Sequence, residues 1–65
     1  MQIKVNGEAR AVQAMNIAEL VAALDINPRQ VAIEKNRVIV PRGSYESEPI
    51  RDGDEVEIVQ FIGGG

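Results

Sequence analysis

The chain contains no cysteine and no histidine, and those two absences remove most enzyme classes at once. Without a thiol or an imidazole there is no Cys–His nucleophile pair, no Ser–His hydrolase triad and no usual structural zinc ligand set. Disulfides are excluded as well, which suits a reducing cytoplasm, the expected location. Long apolar runs are also missing. Met1 opens a polar-alternating segment instead of a charged n-region followed by an apolar stretch, so neither a signal peptide nor a membrane span is expected. Basic clusters are absent too: Lys4, Arg10, Arg29, Lys35, Arg37, Arg42 and Arg51 stand singly in a chain of net charge −3. That pattern disfavours nucleic-acid binding through phosphate neutralisation. Sixty-five residues make one domain near the lower size at which an apolar core holds without metals or disulfides. A large internal active site does not fit.

What is present reads as a small α+β domain. Ile3 and Val5 alternate with Gln2, Lys4 and Asn6, and Asn6-Gly7 is the dipeptide best suited to a tight hairpin turn with positive φ. The return segment, Glu8 to Gln13, has weaker β propensity and carries Val12 as its main apolar contact, so an edge strand is expected there. Asn16 followed by Glu19 is a capping-box variant, and Ile17, Leu20, Val21 and Leu24 form one apolar stripe at helical spacing. A helix is expected over about 17–25, stopped by Pro28 and its effect on Asn27. Val31-Ala32-Ile33 and Val38-Ile39-Val40 read as a second hairpin turning near Asn36. Arg42 to Pro49 reads as an irregular connection with a short helical turn near Tyr45, a lid on the core edge. Arg51 to Asp54 is a turn, and Glu55 to Ile62 is the last strand. The expected core joins the helix stripe to Ile3, Val5, Ile33, Val38, Val40, Val56 and Ile58. The first and last strands are expected side by side at the centre of a mixed sheet, with one helix on one face.

Chemistry-bearing residues are few. Glu46 and Glu48, and Asp52, Asp54, Glu55 and Glu57, form two acidic spots, but Asp52-Gly53-Asp54 lacks the further oxygen ligands of a cation loop. A solvated acidic rim that steers a basic partner is the favoured reading, and no metal site is expected. Gly63-Gly64-Gly65 cannot be a phosphate cradle, because no helix N-terminus follows to supply amides. Folding alone would not select such residues, since ordering glycine costs more entropy than ordering any other residue. Their physical use is access: a backbone without Cβ atoms threads a narrow channel and brings a terminal carboxylate, that of Gly65, to a reactive atom. The plainer alternative is a linker stub, although linkers usually interleave serine and run longer. With Val56 and Ile58 facing the core, alternation turns Val59 and Phe61 outward, so an apolar stripe leads to the tail through Ile62. A bulge that tucks them into the core edge is the competing reading.

The opening Met1-Gln2-Ile3-Lys4-Val5-Asn6-Gly7, the central Val40-Pro41-Arg42, the run Asp52-Gly53-Asp54-Glu55-Val56-Glu57-Ile58-Val59 and the closing Gly64-Gly65 together resemble the ThiS family. These are the sulfur carriers of thiamine (thiazole) biosynthesis, with a ubiquitin-like β-grasp fold. The resemblance spans essentially the whole chain. It implies a β-grasp domain over 1–62 and a flexible glycine tail over 63–65. It further implies a carrier rather than an enzyme, with no cofactor of its own. A ubiquitin-activating-type (ThiF-like) enzyme would adenylate the Gly65 carboxylate, and sulfur from a donor protein would convert it to a thiocarboxylate. Thiazole synthase (ThiG-like) would then take the sulfur. Gly64, Gly63, Ile62, Phe61 and Val59 are the expected partner-binding residues. The small subunit of molybdopterin synthase, with the same fold and tail, and a conjugating ubiquitin-like modifier are the alternatives.

Overall fold

Both hairpins turn through asparagine in the left-handed region, and this chemistry sets the frame of the sheet. A computed structural model describes residues 1–61. Strands β1 (Gln2–Val5) and β2 (Glu8–Ala11) are joined by Asn6 and Gly7 at φ of 51° and 82°. Strands β3 (Val31–Lys35) and β4 (Val38–Val40) are joined by Asn36 and Arg37 at φ of 51° and 70°. Positive φ at both central residues matches the right-handed twist of the flanking strands. The last strand, β5 (Glu55–Gln60), enters between the hairpins to give the order β2-β1-β5-β3-β4. It runs parallel to β1 and antiparallel to β3. The expected pairing of first and last strands is therefore observed, with β5 central and β2 and β4 at the edges.

Helix α1 (Ile17–Ala23) crosses one face of this sheet and buries Ile17, Leu20 and Val21. Its first four amides all find acceptors. Ile17 and Ala18 donate to the carbonyls of Glu48 and Tyr45 at 3.0 and 2.9 Å, Glu19 donates to Asn16 Oδ1 at 2.8 Å, and Leu20 donates to the Asn16 carbonyl. Glu19 Oε1 in turn accepts from the Met15 amide at 2.8 Å, a reciprocal arrangement shifted one residue from the usual capping box. The helix stops earlier than the proline predicts. Asp25 takes φ of 57°, the Asp25 amide bonds the Ala22 carbonyl, and the Ile26 amide reaches back to the Val21 carbonyl at 3.1 Å. This is a Schellman stop with aspartate in the position usually given to glycine. A short 3-10 turn, Pro28–Gln30, follows and leads into β3.

The core consists of the α1 stripe packed on Ile3, Val5, Val31, Ile33, Val40, Val56 and Ile58, with Ala14, Tyr45 and Ile50 closing its rim. Val38 is a correction to the expected core, being 67% exposed. It pairs with Lys35 at the far end of a three-residue edge strand. There Lys35 reaches over to the Pro49 carbonyl (2.8 Å) and to Glu48 Oε2 (2.6 Å). Leu24 is only partly buried. The connection after β4 begins with a 3-10 turn, Arg42–Ser44, and its carbonyls cap α1, so the segment is fastened despite its irregularity. One helix on one face of a mixed five-stranded sheet is the β-grasp arrangement.

Candidate functional site

Strand β5 carries Val59 and leads to Phe61, two of the residues expected to bind a partner. Three contacts fix it against its neighbours. At its start, Asn36 Oδ1 accepts from the Glu55 amide at 2.9 Å while the Asn36 amide donates to the Glu55 carbonyl at 2.7 Å. In its middle, the Asn6 side chain accepts from the Ile58 amide at 2.7 Å and donates to the Ile58 carbonyl at 3.1 Å. The Asn6 carboxamide thus continues the β1–β5 ladder at the point where the β1 backbone turns away. At its end, the Phe61 amide donates to the Gln30 carbonyl at 2.8 Å.

Alternation along β5 places Val56 and Ile58 in the core and leaves Val59 and Phe61 59% and 52% exposed. The outward direction expected of these two side chains is therefore present, with no bulge between them and the core pair. Register extends the apolar surface beyond what sequence reasoning named. Val59 stands opposite Ala32 on β3, and Ile39 on β4, 72% exposed, lies on the diagonal from Ala32 through its pairing with Glu34. Val59, Phe61, Ala32 and Ile39 form one outer-face patch. The signal for Ile39 was available: with Val40 facing in, its neighbour must face out. Ile62, Gly63, Gly64 and Gly65, also named as site residues, lie outside the described residues.

The charge around the patch is ordered. Glu34 and Glu57 are directly opposed on the outer face, a like-charge pairing that is unfavourable in a sheet. Lys4 opposes Glu55 one row further from the tail. Arg42 stands at the tail end, where it donates to the Arg29 carbonyl at 3.2 Å. The aspartates of the acidic turn have structural work. Asp52 Oδ1 accepts from the Gln2 amide at 2.7 Å, and Asp54 accepts from Asn36 Nδ2 at 3.0 Å and from the Arg51 amide at 2.8 Å. Partial burial pushes the Asp54 carboxyl up. The Asn36 and Arg51 hydrogen bonds, with the Lys35 and Arg51 charges, outweigh that and hold it below its ordinary value. Asp52 and Asp54 are thus turn fasteners, while Glu34, Glu55 and Glu57 make the solvated acidic face. Among the described residues no group of three or more acidic side chains is arranged to hold a metal ion, and no helix is long and apolar enough to cross a membrane.

Comparison with known proteins agrees with this geometry. A thiazole synthase from Paramagnetospirillum magneticum is 46% identical across the whole chain, yet the chain spans only 20% of that protein. The same share holds for the thiazole synthase of Magnetococcus marinus, at 39% identity. The sulfur carrier protein ThiS of Escherichia coli is 35% identical, with both chains covered end to end. Among solved structures, the thiamine biosynthesis protein ThiS from Geobacter metallireducens superposes with a TM-score of 0.85 at 33% identity, again with both chains fully covered. The profile of the ThiS family matches residues 3–65, and the chain belongs to that family.

Proposed function

We propose that the protein is a sulfur carrier for thiazole formation in thiamine biosynthesis, with the Gly65 carboxylate as the group that is charged. The observation that carries this reading is the exposed apolar patch made by Ala32 of β3, Ile39 of β4, Val59 of β5 and Phe61 just after it, beside the strand that precedes the glycine segment. A partner enzyme that grips this patch holds the strand that directly precedes the glycine tail in sequence. A carboxylate is a poor electrophile until one oxygen becomes a leaving group. Attack of the Gly65 carboxylate on the α-phosphorus of ATP, on a ThiF-type enzyme, forms an acyl-adenylate and releases pyrophosphate. Hydrosulfide, released at the sulfide level by a donor protein, then adds to the carbonyl carbon, loses its proton and expels AMP, which leaves a thiocarboxylate. With no cysteine in the chain, sulfur has no other seat. The 1–62 domain serves as a handle and residues 63–65 supply slimness and reach. The relatives bear thiazole and ThiS names, which supports the thiamine pathway over the molybdopterin alternative, and the thiazole synthases supply the class of acceptor.

The test is intact-mass measurement after incubation with ATP, magnesium, a ThiF-type adenylating enzyme and sulfide. The expected gain is the mass of sulfur less that of oxygen, lost when Gly65 is deleted. An unchanged mass would sink the carrier reading, and a ladder of adducts on lysines in cells would replace it with a conjugating modifier.

A further inference from the structure

A concavity lies on the helix side of the sheet among the described residues, and the Schellman stop of α1 forms one of its walls. The Ile26 amide bonds back to the Val21 carbonyl, which brings both side chains to one wall. Val21, Ile26 and Tyr45 line a groove of about 610 Å³ between the end of α1 and the two 3-10 turns. Val21 and Tyr45 belong to the buried core, and Ile26 is partly buried against it. Arg29 and Arg42 stand at its edge, with Glu46 as the single acidic side chain lining it. Both arginines are exposed. Among the described residues the only ion pair is Lys35 with Glu48, so neither guanidinium is neutralised there.

This groove is continuous with the outer-face patch. Arg42 and Tyr45 also line a second hollow with Ile39 and Phe61, which wraps the tail end of the sheet. A footprint that begins on Val59 and Phe61 therefore reaches the groove across Arg42, the charged residue the two hollows share. We infer that the groove receives an acidic, apolar-anchored segment of the adenylating enzyme, with an aliphatic or aromatic side chain on Val21, Ile26 and Tyr45 and carboxylates on Arg29 and Arg42. This rests on the reading of the chain as a carrier that is adenylated. Charge complementarity selects the occupant. The chain is acidic overall and presents Glu34 and Glu57 at the far side of the patch, so a basic segment meets its match there and an acidic one at the arginine end. The two ends of the footprint carry opposite sign, which admits one docking orientation and penalises its reverse.

The experiment uses the full chain with a ThiF-type enzyme. In carrier-dependent ATP–pyrophosphate exchange, Arg29→Glu is expected to raise the KM for the carrier about tenfold with kcat unchanged and to flatten its salt dependence. Arg42→Gln, which keeps a donor for the Arg29 carbonyl, is expected to act in the same direction, and an unchanged melting temperature shows that both variants are folded. In the labelled wild-type chain, Val21 and Ile26 methyl signals should shift together with Val59 when the enzyme is added. An unaltered KM in both variants, with Val59 shifting alone, would overturn the inference and confine docking to the outer face. Groove signals that move on removal of residues 63–65 without enzyme would also overturn it, by giving the groove to the chain's own tail. No exchange with the wild-type chain would bring down the carrier reading and this inference with it.

Discussion

Ile58 and Val59 are consecutive β-branched residues of one strand, yet the first is 8% exposed and the second 59%. The two faces of the sheet differ in the same way throughout. The inner face sets Ile3, Val5, Ile33, Val56 and Ile58 under α1, while the outer face sets Val59, Ala32 and Ile39 beside an opposed glutamate pair and leaves them uncovered. The inner face is apolar under α1, whereas the outer face mixes its apolar residues with Lys4, Glu34, Glu55 and Glu57. A helix covers one side only, so the apolar part of the other stays uncovered. A single-layer sheet with one cover is the economical way for a chain of this size to hold a core and still present an apolar surface.

The sharpest way to break the contrast is to truncate one residue on each face. Ile33→Ala removes a fully buried side chain and is expected to cost about 2–5 kcal/mol. In a domain of this size that lowers Tm by at least about 8 °C in thermal melts followed by circular dichroism. Asp54 is expected to have a smaller effect that depends on pH. Its folded carboxyl lies below the ordinary 3.8, so its contribution is fully present above that value and fades as pH falls through the folded value. Asp54→Asn should therefore lower Tm at neutral pH, and the gap to the parent chain should narrow below pH 3.8. The smallest effect on stability belongs to the outer face. Phe61→Asp should change stability by no more than about 0.5 kcal/mol while weakening docking to the adenylating enzyme. A loss of Tm comparable to that of Ile33→Ala would move Phe61 into the core and erase the distinction.

Much of this was legible in the residues because local signals and the global fold agree. Asn6-Gly7, the Asn16–Glu19 cap and the Ile17/Leu20/Val21 stripe each name their own structure, and alternation along Glu55–Gln60 names the outward Val59. What escaped depended on contacts between distant segments. Val38 and Val40 read as a core pair by alternation, but Val38 sits at the end of a three-residue edge strand and is exposed while Val40 alone is buried. The end of α1 follows from Asp25 accepting a left-handed φ, a choice that aspartate tolerates without announcing it. The short turn at Pro28–Gln30 and the groove it borders exist only once α1, both 3-10 turns and Tyr45 have met. Arg42 stood out as part of Val40-Pro41-Arg42, but its place at the junction of two hollows is a property of the folded chain.

The two asparagines that stitch the hairpin turns to β5 also have a mechanical consequence. A force along the axis of β5 meets β1 on one side and β3 on the other. The ladder bonds run across that axis, so the load arrives as shear shared among many bonds instead of peeling them one at a time. Asn6 at Ile58 and Asn36 at Glu55 add crosslinks of the same orientation. The side chains that close the two hairpin turns thus also set how firmly the central strand is held in register.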